Sequence, residues 1–412
     1  MERFADFSNF LNKSPTPFHF TEYSRQFFKS RGYVEKDERE VWTDVPPRGF
    51  FIRDDRCLVA WNDNGHDRCS IIGTHCDSPC LIIKPNFEEV KSNYNKVRCA
   101  TYGGGLWNTW IGRNLRLAGK VVVSTNQFEY KNYLFDSEKG IGIIPYAEQP
   151  PLAPVYNEEN DLVVTIGTTN CTNLKSYIAE KLGVKSSDIS EYDLRFVNEK
   201  PPNCFSGIIE AQRIDNLSNT YAALTAFAAT TPSPGITNVM IAFDNEEIGS
   251  STQCGAKADI IHDLLRRLIP SKPQRKALCR NSIILSADTA HATHPNYPNI
   301  TDPIVEVKMS KGVCVCLDNG TCDSNIPKIL PFVEKIAHKS GVGLNMAFQY
   351  KGQGGSTIGP ISESRSGITT IDMGVPCLAM HSIREMCSIK DLDECVKFIT
   401  TFYTMGKDEF DI

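Results

Sequence analysis

Nowhere in these 412 residues does an apolar run reach the length needed to cross a bilayer. The opening Met1-Glu2-Arg3-Phe4-Ala5-Asp6 is not followed by the apolar region of a secretion signal. A soluble, intracellular protein without membrane contact is the expectation. Charge of one sign is also scarce: 44 Lys and Arg face 49 Asp and Glu, a formal net charge of -5. Such a balance gives no electrostatic reason for a nucleic-acid partner and leaves a small molecule or peptide as the default. The glycine-rich stretch Thr101-Tyr102-Gly103-Gly104-Gly105-Leu106-Trp107 has neither a Walker lysine nor GxGxxG spacing, so neither nucleotide site is supported. What remains for it is a tight turn beside Trp107 and Trp110.

Zinc-finger spacing is missing as well. Fifteen cysteines, an odd number, are scattered through apolar contexts such as Cys57, Cys69, Cys254, Cys279 and Cys377, and Cys314-Val315-Cys316 alternates as a strand does. They read as free core thiols in a reducing compartment, with the cytoplasm expected and a vacuolar or lysosome-like compartment as the alternative.

With 41% hydrophobic residues, the chain can bury a large core as two or three domains or as one enlarged α/β domain. Phe7 to Gly32 predicts an amphipathic helix, and the segments around Phe50-Ile52 and Cys57-Trp61 predict a hairpin. Three apolar runs then end in polar groups at the same relative place: Cys69 to Asp77, Val239 to Glu247, and Ser282 to Asp288. In open parallel sheets, ligands gather outside the carboxyl ends of the strands. Between them, from about Lys84 to Asn203, short strands and the proline-rich Gln149 to Pro154 mark an insertion. The expected division is 1–84 and 205–412 for one domain and 85–204 for a strand-rich domain inserted in it. Leu174 to Leu182 with Gly183 predicts a helix, as do Cys254 to Ile269 and a final segment from Ser388.

The polar ends supply His75, Asp215, Glu247, Asp288 and His381. Two imidazoles and three carboxylates suit a pair of divalent ions, zinc first with cobalt or manganese as alternatives, better than calcium. Asp215 either caps a helix or bridges the two ions. Glu246, beside Glu247, is left free to act as general base on the attacking water. His75 and Asp77 share a face of an extended segment, so Asp77 is expected to orient the imidazole.

These segments, in order along nearly the whole chain, resemble the M18 family of metallo-aminopeptidases, the aspartyl aminopeptidases. The resemblance rests on His75-Cys76-Asp77-Ser78-Pro79, Arg213-Ile214-Asp215-Asn216-Leu217, Asp244-Asn245-Glu246-Glu247-Ile248-Gly249-Ser250, Ser286-Ala287-Asp288 with His291 to Tyr297, and Met380-His381-Ser382-Ile383-Arg384-Glu385-Met386. It implies a zinc exopeptidase-like mixed sheet flanked by helices, with 85–204 as a dimerisation domain and dimers assembling into a dodecamer. It also implies removal of the first residue of short peptides with a free N-terminus, with His291, Gly355 and Ser356 binding substrate. Two departures bear on specificity. Phe128 to Pro150 contains no histidine, and Tyr350-Lys351-Gly352-Gln353-Gly354-Gly355-Ser356 replaces the family's Arg-Asn-Asp-Thr-Pro-Cys-Gly type of segment. A preference for N-terminal Asp or Glu is therefore left open. The alternatives are a related dimetal deacylase or carboxypeptidase, and an inactive peptide-binding assembly protein.

Overall fold

The computed structural model describes residues 2–146, 157–302, 304–317, 326–347 and 358–410. Its largest element is a nine-stranded sheet with a parallel centre. Ile236–Phe243, Arg68–His75, Ile283–Ala287 and Thr369–Gly374 lie side by side and parallel, with Cys57–Asp63 antiparallel on the outer edge of Ile236–Phe243. The chain leaves Arg68–His75 and later adds one parallel strand on each side of it. The strand order therefore switches at His75, where a sheet of this kind opens a crevice.

Both faces of the sheet are covered, which is why its strands read as unbroken apolar runs. In Ile236–Phe243 every residue is buried. Ile236, Met240 and Ala242 join a core with Phe28, Phe227 and Tyr403, whereas Val239, Ile241 and Phe243 join the opposite core with Leu264 and Leu265. This is the period-two alternation of a strand. The first core is closed by helices Ile214–Ala229 and Ile389–Thr404, and the second by Ile260–Leu268. Ser388 caps Ile389–Thr404, its hydroxyl accepting from the amides of Lys390 and Asp391.

A second sheet is drawn from residues 80–198. Its seven antiparallel strands include Ile189–Asn198, which pairs with both Cys80–Lys91 and Asn114–Ser124 and so closes six of them into a barrel, with Tyr130–Asp136 outside the ring. A further five-stranded sheet contains Ile208–Ala211, Glu385–Ser388 and Ala290–His291.

Several local expectations change. The N-terminal helix is two helices, Glu2–Lys13 and Pro17–Lys29, because Pro17 occupies a first-turn position where its missing amide is harmless and restarts the helix. The helix predicted from Cys254 begins only at Ile260. The Asp391 carboxylate, in the first turn of Ile389–Thr404, accepts from the amides of Ser310 and Gly312 rather than from the Ser388 backbone. No helix of the described residues is long and apolar enough to cross a membrane.

Candidate active site

The register that pairs Phe243 with His75 brings Asp244 to Glu247 off one strand directly beside the end of the next. Asn245 takes a left-handed conformation, φ 64°, and turns the chain so that the amides of Glu246 and Glu247 face Asp77. They donate to Oδ1 at 3.2 Å and Oδ2 at 3.1 Å. The Tyr102 hydroxyl adds a bond to Oδ2 at 2.7 Å and accepts one from Asn245 Nδ2 at 2.9 Å. Asp77 is fully buried and fully engaged, so its carboxylate anchors the loop that carries the two glutamates. His75 Nδ1 lies 3.1 Å from the Asp77 carbonyl and 3.4 Å from its carboxylate. The ring is thus fixed as much by the backbone as by the side chain.

The other imidazole nitrogen faces the cleft. His75 Nε2 is 3.3 Å from Asp215 Oδ1, 3.3 Å from Asp288 Oδ1 and 3.9 Å from Glu246 Oε2. His381 Nε2 is 3.1 Å from Asp215 Oδ2 and 3.3 Å from Glu247 Oε2. Three sets of ligating atoms lie within 4.8 Å of one another: His75, Asp215 and Asp288; Asp215, Glu247 and His381; and His75, Glu246 and Glu247. Asp215, the residue with two readings in sequence, turns its carboxylate to both histidines, one oxygen to each. It does not cap the helix that follows, whose first turn has non-helical φ/ψ at Asp215 and Asn216.

The electrostatics of this cluster are strained without a cation. Burial, reinforced by neighbouring acids, raises the Glu246 carboxyl to about 8, and burial followed by the Asp215 charge raises Glu247 well above the carboxylate range. Asp288 is raised by the same desolvation. Burial also opposes the Asp215 carboxylate, but the bond from His381 and the close approach of the His75 ring outweigh it and its pKa falls. For His381, desolvation is overcome by Asp215 and the pKa rises to about 9. Protons here hold together acids that a metal would otherwise neutralise.

The fit to metal is visible in individual atoms. Asp215 Oδ1 and Glu247 Oε1 are buried and accept no hydrogen bond, a costly state for a carboxylate oxygen. A nitrogen-and-oxygen donor set of this kind suits zinc and its neighbours. A surface depression of 1350 Å³ lies elsewhere, among Arg25, Arg53, Asp55 and Asp263. Its charges answer one another, Arg53 meeting Glu38 at 2.6 Å and Asp263 at 2.9 Å, so it offers no comparable unpaired chemistry.

Not every predicted residue joins the cluster. His291 sits on a short strand at the rim with its side chain exposed on one edge. The cleft walls still desolvate its ring enough to lower its pKa, while the Asp215 charge pulls the other way. Gly355 and Ser356 lie outside the described residues. Asp244 is buried but belongs to none of the three sets, with Arg56 Nε 3.4 Å from its carboxylate.

Three contributors were not singled out in the sequence. Glu385 is 2% exposed and receives the amides of Ile214 at 2.7 Å, Asp215 at 3.3 Å and His381 at 2.8 Å. One carboxylate thereby fixes the backbones that present two candidate ligands. His381 itself has φ 66°, a conformation costly for a residue with a Cβ, and the Glu385 bond helps to hold it. The second contributor is Gly104 of the glycine-rich turn, whose carbonyl lies 3.1 Å from His381 Nδ1 and selects the tautomer with a free Nε2. Leu106 and Thr109 extend this contact, the Leu106 amide donating to the His381 carbonyl at 2.9 Å and Thr109 Oγ1 accepting from Ile383 at 3.0 Å. Tyr102 is the third. Glu385 carried little signal: next to Arg384 it reads as half of a surface ion pair, whereas the structure pairs Arg384 with Glu210 at 2.6 Å and buries Glu385.

Comparison with known proteins agrees with this geometry. A Pseudomonas fluorescens protein described as a probable M18 family aminopeptidase 2 is 31% identical over 96% of each chain. The aspartyl aminopeptidase of Dictyostelium discoideum is 30% identical over 97% of this chain and 95% of its own. The solved structure of the S. cerevisiae mApe1 dodecamer superposes with a TM-score of 0.87 at 26% identity, covering 99% of this chain and 97% of that one. The family model described as aminopeptidase I zinc metalloprotease (M18) matches residues 10–403, and the chain belongs to that family of metallo-aminopeptidases.

Proposed function

We propose that His75, Asp215 and Asp288 hold one divalent ion and Asp215, Glu247 and His381 a second, with Asp215 shared and zinc the native metal. The observation that carries this reading is the pair of three-residue sets that meet at Asp215, each with its ligating atoms within 4.8 Å. Bound there, the metals supply Lewis acidity to a peptide carbonyl and lower the pKa of water.

The chain's own groups do the rest. Glu246, in reach of His75 yet outside both sets, accepts the proton of the water that attacks the carbonyl carbon. As the C–N bond breaks, it returns that proton to the leaving nitrogen, so one free amino acid and a shortened peptide result. Asp77 keeps the Glu246-Glu247 loop and the His75 ring in place, and His291 contacts the substrate from the rim. The acidic wall favours a substrate that brings a cationic free N-terminus.

Short peptides are the substrate class, with acidic first residues the preference to test, since the Dictyostelium relative carries the name aspartyl aminopeptidase. The yeast relative is a dodecamer, and we read this chain as a homo-oligomer in which residues 85–204 act as an inserted pairing domain. Thirteen of the described cysteines are free thiols, which suits the cytoplasm.

A panel of dipeptides differing only in the first residue, with free or acetylated amino termini and added zinc, tests the proposal. Turnover of the free-amine peptides with none of the acetylated ones is expected. Efficient hydrolysis of the acetylated peptides would overturn it in favour of a deacylase or carboxypeptidase.

A further inference from the structure

The helix Ile214–Ala229 carries a polar stripe where a core helix is expected to be apolar. Asn216, Asn219 and Thr220 are spaced to share one side of it, and all three are fully buried. Amides and hydroxyls are costly to bury unless each finds a partner. Here the partners are backbone groups at the ends of the central strands.

Thr220 Oγ1 donates to the His75 carbonyl at 2.8 Å. Asn216 Nδ2 donates, also at 2.8 Å, to the carbonyl of Ala287, the residue before Asp288. Asn219 locks the second of these bonds: its Oδ1 accepts from the Val375 amide at 3.1 Å, and its Nδ2 donates to Asn216 Oδ1 at 2.7 Å. Because a backbone amide can only donate, Val375 fixes which way the Asn219 side chain turns, and Asn219 fixes Asn216. The packing around them leaves no slack. A Cβ on Gly374 would stand 1.9 Å from the Asp288 carbonyl and 2.9 Å from Asn219 Nδ2, and the Asp288 amide donates to the Met373 carbonyl at 2.8 Å.

One helix therefore governs every member of one ligand set. Asp215 belongs to it, Thr220 holds the backbone of His75, and Asn216 holds the peptide that leads into Asp288. Glu247 and His381 are held by other groups, namely Asp77, Glu385 and the Gly104 carbonyl. The two sets that meet at Asp215 rest on different scaffolds.

We propose that Asn216, Asn219 and Thr220 are positioning residues for the His75, Asp215 and Asp288 set, raising the affinity of that set for its ion without raising that of the other. Their bonds end on the backbone and on one another, so they act through the ligands. The inference rests on the two-ion reading above.

Crystals of the protein equilibrated with less than two equivalents of zinc test it, because anomalous diffraction at the zinc edge reads the occupancy of each set separately. Thr220→Val keeps the shape and removes the donor. It is expected to weaken zinc at the His75 and Asp288 set about tenfold relative to the Glu247 and His381 set, and Thr220→Ser, which keeps the hydroxyl, is expected to restore the wild-type ratio. A merely structural role would lower stability and leave that ratio alone. An unchanged ratio, or an equal loss from both sets, overturns the proposal. Should Thr220→Val fail to fold, Asn219→Ser, which breaks the link from Val375 to Asn216, is read in the same way. Wild-type crystals with zinc at neither set would overturn the two-ion reading itself, and the positioning role with it.

Discussion

Two buried charge clusters flank the short segment Gln212 to Asn216, and they are unbalanced in opposite senses. On one side Asp215 enters a group with Asp77, Glu246, Glu247 and Asp288 against two histidines. On the other, Arg213 lies beside Arg116 with Asp136 as the nearby acid. In the acidic cluster the unmet atoms are acceptors, Asp215 Oδ1 and Glu247 Oε1; in the basic cluster they are donors. A fold can leave such groups unpaired only if a ligand of opposite charge arrives or if the cost is carried elsewhere. The difference teaches which atoms are reserved for chemistry and which for scaffold.

Substitutions should separate the two clusters. The largest effect is expected at Glu246→Gln, which removes the proton acceptor but keeps the shape. Its kcat should fall about 10³-fold while zinc content by elemental analysis stays at the wild-type level. Unchanged hydrolysis would reject Glu246 as the base. Glu385→Gln should act on the ligands it positions, weakening zinc about 10- to 100-fold in a chelator competition, with kcat nearly restored at saturating zinc. On the basic side, Asp136→Asn should leave kcat and zinc content alone and cost about 2 kcal/mol of stability in denaturant unfolding. A loss of activity without loss of stability there would dissolve the distinction between the clusters.

The smallest effect is in pH dependence. His381 has its folded pKa at about 9 against an ordinary 6.5, and Glu246 at about 8 against 4.5. Both groups bind protons more tightly in the folded, metal-free protein. Their contributions are therefore full below the ordinary values and disappear as pH rises through 8 and 9. With chelator present, the unfolding midpoint should fall between pH 6 and pH 9, whereas zinc, which displaces those protons, should widen the gap between loaded and metal-free protein. A metal-free midpoint that climbs over this range would contradict the assignment.

Much of the architecture was legible because strand-end chemistry is written in short contiguous runs. His75, Asp244 to Glu247 and Asp288 each follow an apolar run whose burial fixes where the polar end must emerge. Asp215 could be noticed but not oriented, since a helix cap and a site ligand have the same local sequence. Glu385 escaped because its partners, the amides of Ile214, Asp215 and His381, include groups 170 residues away in sequence. Gly104 escaped for a related reason: a carbonyl is the same in every residue, and its contact with His381 depends on how the barrel meets the nine-stranded sheet. The break between the first two helices, by contrast, was present as Ser14-Pro15-Thr16-Pro17 and was smoothed over by aromatic periodicity.

The glycine-rich turn also sets a limit on modularity. Gly103 would drive a Cβ to 3.1 Å from that of Glu247, Gly104 holds His381, and Leu106 and Thr109 secure the segment on either side of it. A protein engineer who excised the barrel to obtain a minimal hydrolase would keep every acid and both imidazoles on the sheet, yet would release the tautomer and aim of one of them. The insert is wired into the reaction it surrounds, and the two parts must be transplanted or redesigned together.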